Sequence, residues 1–206
     1  MRLPITAHTS RPWRIREIAG DFQVEDVWEL PTPGGPDDLA LLVDQFANGE
    51  GDPVPSPVGR ALFALRWKLG ALLGWDKPAG GLGARVPTLR DRLPADLRGG
   101  SRGPDLKSVP FTSVFLTHDE WVAEMANKTM HGAMHIGWVT DGSGGYRGQM
   151  TVLVKPNGRL GALYMLGIKP FRYLGVYPAL IRSIGREWQK GAAARAVRAG
   201  GAGGAV

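Results

Sequence analysis

The 206-residue chain has no cysteine. That excludes a disulfide scaffold, cysteine-ligated zinc, iron–sulfur clusters and a thiol nucleophile. It also lacks any run of about 18 uncharged apolar residues, the length a membrane-spanning helix needs. The opening MRLPITAHTSRPW has no apolar stretch of the kind a secretory signal carries. A soluble cytoplasmic protein is the expectation. No phosphate-binding glycine loop and no G-x-S-x-G elbow occurs. GGLGAR, from Gly80, has glycines but no strand before it. No cofactor and no metal are therefore expected.

Charge of one sign is present but localised. The net charge is +6. Residues 76–108 carry seven bases against four acids, and the last segment adds Lys190, Arg195 and Arg198 with no acid. Those two stretches account for the whole excess. There is no helix-turn-helix, no RNA-recognition signature and no basic–aromatic interleaving, so nucleic acid is not an expected partner.

The chain is long enough for a single domain with a substantial core. Residues 1–189 form the expected domain. They include a long Gly/Pro/Arg-rich loop at 76–108, with a helical turn near Thr88–Leu93. The Ala/Gly-rich residues 190–206 read as a disordered tail. Trp13–Ile18 and Phe22–Leu30 look extended, and Asp37–Phe46 looks like a short helix capped by Asp37 or Asp38. Pro57–Trp75 has helical length and composition. Strands follow between Phe111 and Ile168, and a helix opens near Pro170 and runs to about Lys190, with Pro178 kinking it or resetting its start. This order predicts an α+β fold, an antiparallel sheet with helices on one face.

Turn chemistry sets a strand register. Asn157-Gly158 is a strong two-residue hairpin signal, pairing Met150 with Met165. An Asn127-Lys128 turn would pair Glu124 with His131 and Glu120 with His135. A loop at Asp141–Gly145 would pair Met150 with Ile136 and Val152 with Met134. Because side chains alternate, one sheet face then collects Trp121, Met125, Met130, Met134, Ile136, Trp138, Met150, Val152, Val154 and Met165. The apolar side of the last helix can lie across it. Methionine suits a cavity that adapts to varied ligands, and it suits an ordinary core equally well. In the ligand reading the lining residues are Trp121, Met125, Met134, Trp138, Met150, Met165 and Tyr177. Lys169 stands at the cavity mouth, the loop at 76–105 covers it, and the ligand is an apolar or amphipathic small molecule. On that reading Met150→Arg disrupts uptake or folding, and Gln149→Arg does neither.

The opposite face collects Glu120, Glu124, His131, His135, Gln149 and Thr151. A carboxylate beside an imidazole raises its pKa and orients the ring, the arrangement for acid–base catalysis. Glu124, His131 and His135 are the candidate catalytic residues. The plain alternative is cross-strand contact on a solvated face. On a strand the two histidines lie about 13 Å apart, too far to share a metal. The apolar helix Ala61–Trp75 and the strand Leu160–Ile168 offer a third reading, a non-catalytic module that forms a homodimer or docks on a membrane surface.

HTSRPWRI, DFQVEDVWELPTPGG, LRWKLGALLGWD, NKTMHGAMHIGW, GQMTVLVKPNG and YMLGIKPFRYLGVYPALIR together resemble the bacterial domain of unknown function family 2867. The resemblance runs from about His8 to Trp188, without the loop at 76–108. It implies a START/Bet v 1-like helix-grip fold, with a curved antiparallel sheet, a long C-terminal helix and two shorter helices. Such folds typically hold lipids, polyketides or other apolar ligands, and some cyclise or hydrolyse them. The resemblance supplies no activity and no catalytic residues.

Overall fold

A computed structural model describes residues 1–48, 82–83, 86–107, 109–158 and 177–202. The described residues fold as a six-stranded antiparallel sheet with helical elements on both faces. The strands are β1 (Arg2–Leu3), β2 (Gln23–Glu29), β3 (Thr112–Leu116), β4 (Glu120–Ala126), β5 (Met130–Thr140) and β6 (Tyr146–Pro156), in the spatial order β1-β2-β6-β5-β4-β3. The helices are α1 (Thr6–Thr9), α2 (Ile15–Ile18), α3 (Leu39–Asn48), α4 (Ala95–Arg98) and α5 (Tyr177–Ala202), with a 3-10 helix at Leu89–Arg92.

The β5–β6 register is the expected one: Ile136 faces Met150 and Met134 faces Val152. The β4–β5 register differs by two residues. Lys128 and Thr129 occupy the turn, in place of Asn127 and Lys128, so Glu124 faces Ala133 and Ala126 faces His131. The cause is the buried Asn127 side chain. Its Oδ1 accepts the backbone N–H of Thr129 and of Met130 and the Thr129 hydroxyl, which makes Asn127 the residue that opens the turn. A slip of two keeps every side chain on its own face, so the face assignment survives.

On the Met-rich face, α3 and α5 build one core with Trp28, Trp121, Ile136, Trp138 and Met150. Burying side chains of this size contributes on the order of 2–3 kcal/mol each. Polar tips find partners: Trp138 Nε1 donates to Gly35 O at 2.9 Å, Trp188 Nε1 to Pro33 O at 2.9 Å, and Trp121 Nε1 to Ser113 Oγ at 3.0 Å. A Gln45 amide donating to Ile184 O at 3.0 Å joins α3 to α5.

The second face is a second core, and here the expectation of a solvated surface is corrected. Ile15, Ile18 and Phe22 from the N-terminal segment, and Leu89, Leu93 and Leu97 from the 3-10 helix and α4, pack on Val122, Ala133, Val139 and Leu153. Residues 89–97 of the long Gly/Pro/Arg-rich stretch are thus a cover for this core, whereas the sequence reading set them over the Met-rich face.

Two further expectations change. Ile15–Ile18, read as extended, is helical, and the strand begins only at Gln23. The last helix continues to Ala202, beyond the expected end at Lys190. Its exposed residues 192–197 are mostly alanine and arginine, strong helix formers that need no tertiary contact to favour the conformation.

Candidate functional site

Two regions carry chemistry, one on each face of the sheet. On the second face, Glu120, Glu124, His131 and His135 are each no more than 2% exposed. Although the register places neither pair directly opposite, both carboxylates meet their histidines along the diagonal: Glu124 Oε2 lies 2.7 Å from His131 Nε2, and Glu120 Oε2 lies 3.2 Å from His135 Nε2. Glu120 also accepts the backbone N–H groups of Arg14 at 2.7 Å and Ile15 at 3.3 Å. Glu124 accepts the Leu89 N–H at 3.0 Å and the Thr88 hydroxyl. Each carboxylate therefore ties one covering segment to the sheet and one imidazole to its place, and these hydrogen bonds offset the cost of burying the charge.

The Glu120–His135 pair has a further neighbour that the sequence reading missed. His8, from α1, presents its ring to His135 at a centroid separation of 5.0 Å, and Trp13 flanks His135 at the same separation. Both ring nitrogens of His8, Nδ1 of His135 and Oγ1 of Thr151 are buried without a hydrogen-bond partner. Burial, with His135 and Arg16 nearby, pushes the His8 imidazole down to about 3. Nothing local in HTSRPW marks His8 as buried; only the tertiary docking of α1 does so. Among the described residues, no group of three His, Asp or Glu side chains has the geometry of a metal site.

On the Met-rich face, Trp121, Trp138 and Met150 are fully enclosed by α3 and α5, and Tyr177 stacks on Trp28 at 5.4 Å. Beyond them, toward the Asn127 turn, Met125, Met130, Met134 and Val152 are only half-buried. They surround Gly132, which sits opposite Met125 on one side and Val154 on the other. A Cβ at Gly132 would stand 3.2 Å from Met130 Cε and 3.9 Å from Met125 Cγ, so the Met130 side chain fills the space that a side chain at the buried Gly132 would take. Asp26, fully buried and opposite Val152, stands on the same face, with the Arg2 guanidinium 3.9 Å from its carboxylate. Asp26 shares this face with Trp28 by regular alternation, and the bulge at Glu25 turns Val24 to the second face instead. Met165, Lys169, Ala61–Trp75 and Leu160–Ile168 lie outside the described residues.

The family model for a protein of unknown function, DUF2867, matches residues 18–179. The chain belongs to this family. Searches of curated proteins and of solved structures found no match for this DUF2867 chain. The matched span holds both carboxylate–imidazole pairs and the half-buried methionines, whereas His8 and Trp13 precede it. Among the described residues of the DUF2867 chain, no helix is long and apolar enough to cross a membrane.

Proposed function

We propose that this DUF2867 chain binds an apolar or amphipathic small molecule in the hollow formed by Met125, Met130, Met134 and Val152 over Gly132. One observation carries the reading: these apolar side chains stay half-buried beside a closely packed core. Unbranched methionine adapts to ligands of different shape, and the Met130 side chain that packs over Gly132 is flexible enough to move aside. The order of elements, an antiparallel sheet followed by a long C-terminal helix, supports the helix-grip assignment, and proteins of that architecture hold apolar ligands. The test is native mass spectrometry of freshly purified protein, with solvent extraction of anything bound. A small molecule retained by the wild type and lost in Met134→Arg is the expected result. Equal retention by both would place the ligand elsewhere.

A specific arrangement also favours a second reading, acid–base catalysis at Glu120–His135. Glu120 fixes His135 through Nε2, and Nδ1 is buried without a hydrogen-bond partner. Turnover of the extracted compound by the wild type and not by His135→Gln would establish it.

A further inference from the structure

The way α1 is attached to the sheet carries an inference independent of the ligand-binding reading. Between Leu3 in β1 and Ile15 in α2, the chain crosses the second face as a strap, and only His8 and Trp13 within it are buried. The Ala7 carbonyl accepts a long hydrogen bond of 3.4 Å from Gln149 Nε2. At either end the attachments are firmer: β1 pairs with β2, and Ile15 and Ile18 are core residues whose entry is fixed by Glu120. The Arg16 guanidinium in addition donates to Thr9 O at 3.1 Å and to Arg11 O at 3.2 Å in exposed hydrogen bonds. The buried anchors of the strap's middle are two aromatic rings, one of them titratable.

The His8 ring makes no hydrogen bond in the closed position, and both of its nitrogens are out of water. It packs against His135 from β5, which Glu120 from β4 holds through Nε2. Arg16 from α2 is the other charged group that acts on it, and Thr151 and Gln149 from β6 are neutral. A protonated His8 would find no acceptor there and would face a second imidazole and a guanidinium. Lifting the strap returns the ring to water, where either protonation state is solvated.

We propose that residues 4–14 form an acid-released strap over the Glu120–His135 pair, with His8 as its latch. Closure requires neutral His8, and proton uptake by His8 accompanies opening. The closed imidazole binds its proton far more weakly than one in water, whose pKa is about 6.5. The ratio of open to closed strap therefore rises as the pH falls below about 6.5, by a factor approaching ten per pH unit, until it levels off near 3. Opening exposes His135 Nδ1 and Thr151 to solvent. The four-residue helix α1 is too short to persist once detached, so its backbone N–H groups lose protection when the strap lifts.

Hydrogen exchange read by mass spectrometry on the full chain tests this. After correction for intrinsic rates, the amides of residues 5–13 are expected to exchange about 100-fold faster at pH 4.5 than at pH 7.5, while those of β5 and β6 stay protected. His8→Phe keeps an aromatic ring but cannot take a proton, and it should abolish the dependence. The same rise in His8→Phe, no rise in the wild type, or simultaneous opening of β5 and β6 would overturn the proposal. A titration of the wild-type His8 ring by NMR gives a check that needs no variant: a midpoint well below 6.5 is expected, and one at about 6.5 contradicts the latch.

Discussion

Glu124 and His131 are not cross-strand partners, yet their side chains meet at 2.7 Å. Glu124 stands opposite Ala133, and its carboxylate leans along the sheet to reach the imidazole on the next strand. The small Ala133 leaves that diagonal open. The same carboxylate receives the Leu89 N–H and the Thr88 hydroxyl, so one buried charge holds both a strand residue and the start of the 3-10 helix.

Removing that charge should be costly. Glu124→Ala leaves the His131 ring, the Leu89 N–H and the Thr88 hydroxyl without their acceptor in a buried place. A loss of about 3–5 kcal/mol is expected in urea unfolding. A loss within experimental error would show that the carboxylate does not anchor the cover.

The second face should not tolerate a charge. Gln149 is buried there, packed under the N-terminal segment. The sequence reading placed it in solvent and expected Gln149→Arg to be harmless. The structure reverses this, and both Gln149→Arg and Met150→Arg should lower the melting temperature strongly. Thermal unfolding by circular dichroism distinguishes the two expectations.

Gly137 allows Trp13 to lie flat on β5. A Cβ there would stand 2.7 Å from the Trp13 ring, so Gly137→Ala displaces the ring. Overpacking of this kind costs about 1–3 kcal/mol. Protease cleavage between Pro4 and Trp13 should rise in this variant, and unchanged cleavage would show that Trp13 does not pin the strap.

Asp21 contributes to stability in a pH-dependent way. The Arg92 guanidinium at 2.6 Å and the Lys155 ammonium at 2.7 Å hold its carboxyl well below the usual carboxylate range. A folded-state pKa below the unfolded value adds stability above about pH 4, and that stability is lost as the pH falls further. The pair is nearly half exposed, so screening limits the gain to about 1 kcal/mol at most. Asp21→Asn should be slightly less stable than wild type at pH 7, and the gap should close on acidification below pH 4.

The β5–β6 pairing and its faces were legible because turn residues and period-two alternation act locally, whereas the pairing of Met150 with Met165 expected from Asn157-Gly158 is overturned: β6 has β2 on one edge and β5 on the other, and Met150 stands opposite Trp28 and Ile136. Met134, Ile136, Met150 and Val152 fell on one face in the register that Asp141–Gly145 predicts. The Asn127 turn slipped by two because the reach of a buried amide to three partners is a tertiary detail. The burial of His131, His135 and Gln149 was not legible. Their cover comes from residues 6–22 and 89–98, distant in sequence, and short helical turns of four residues leave almost no periodic signal. His8 illustrates the limit: an exposed-looking loop residue becomes a core residue through one packing contact.

Titration with a dansyl-labelled fatty acid tests the ligand-binding hollow most directly. The wild type should raise and blue-shift the dansyl emission with saturable binding. Met134→Arg and Met125→Lys, both at half-buried positions, should abolish it while keeping a native circular dichroism spectrum. Undiminished binding by both folded variants, or no binding by the wild type, would contradict the assignment of this hollow as the ligand site.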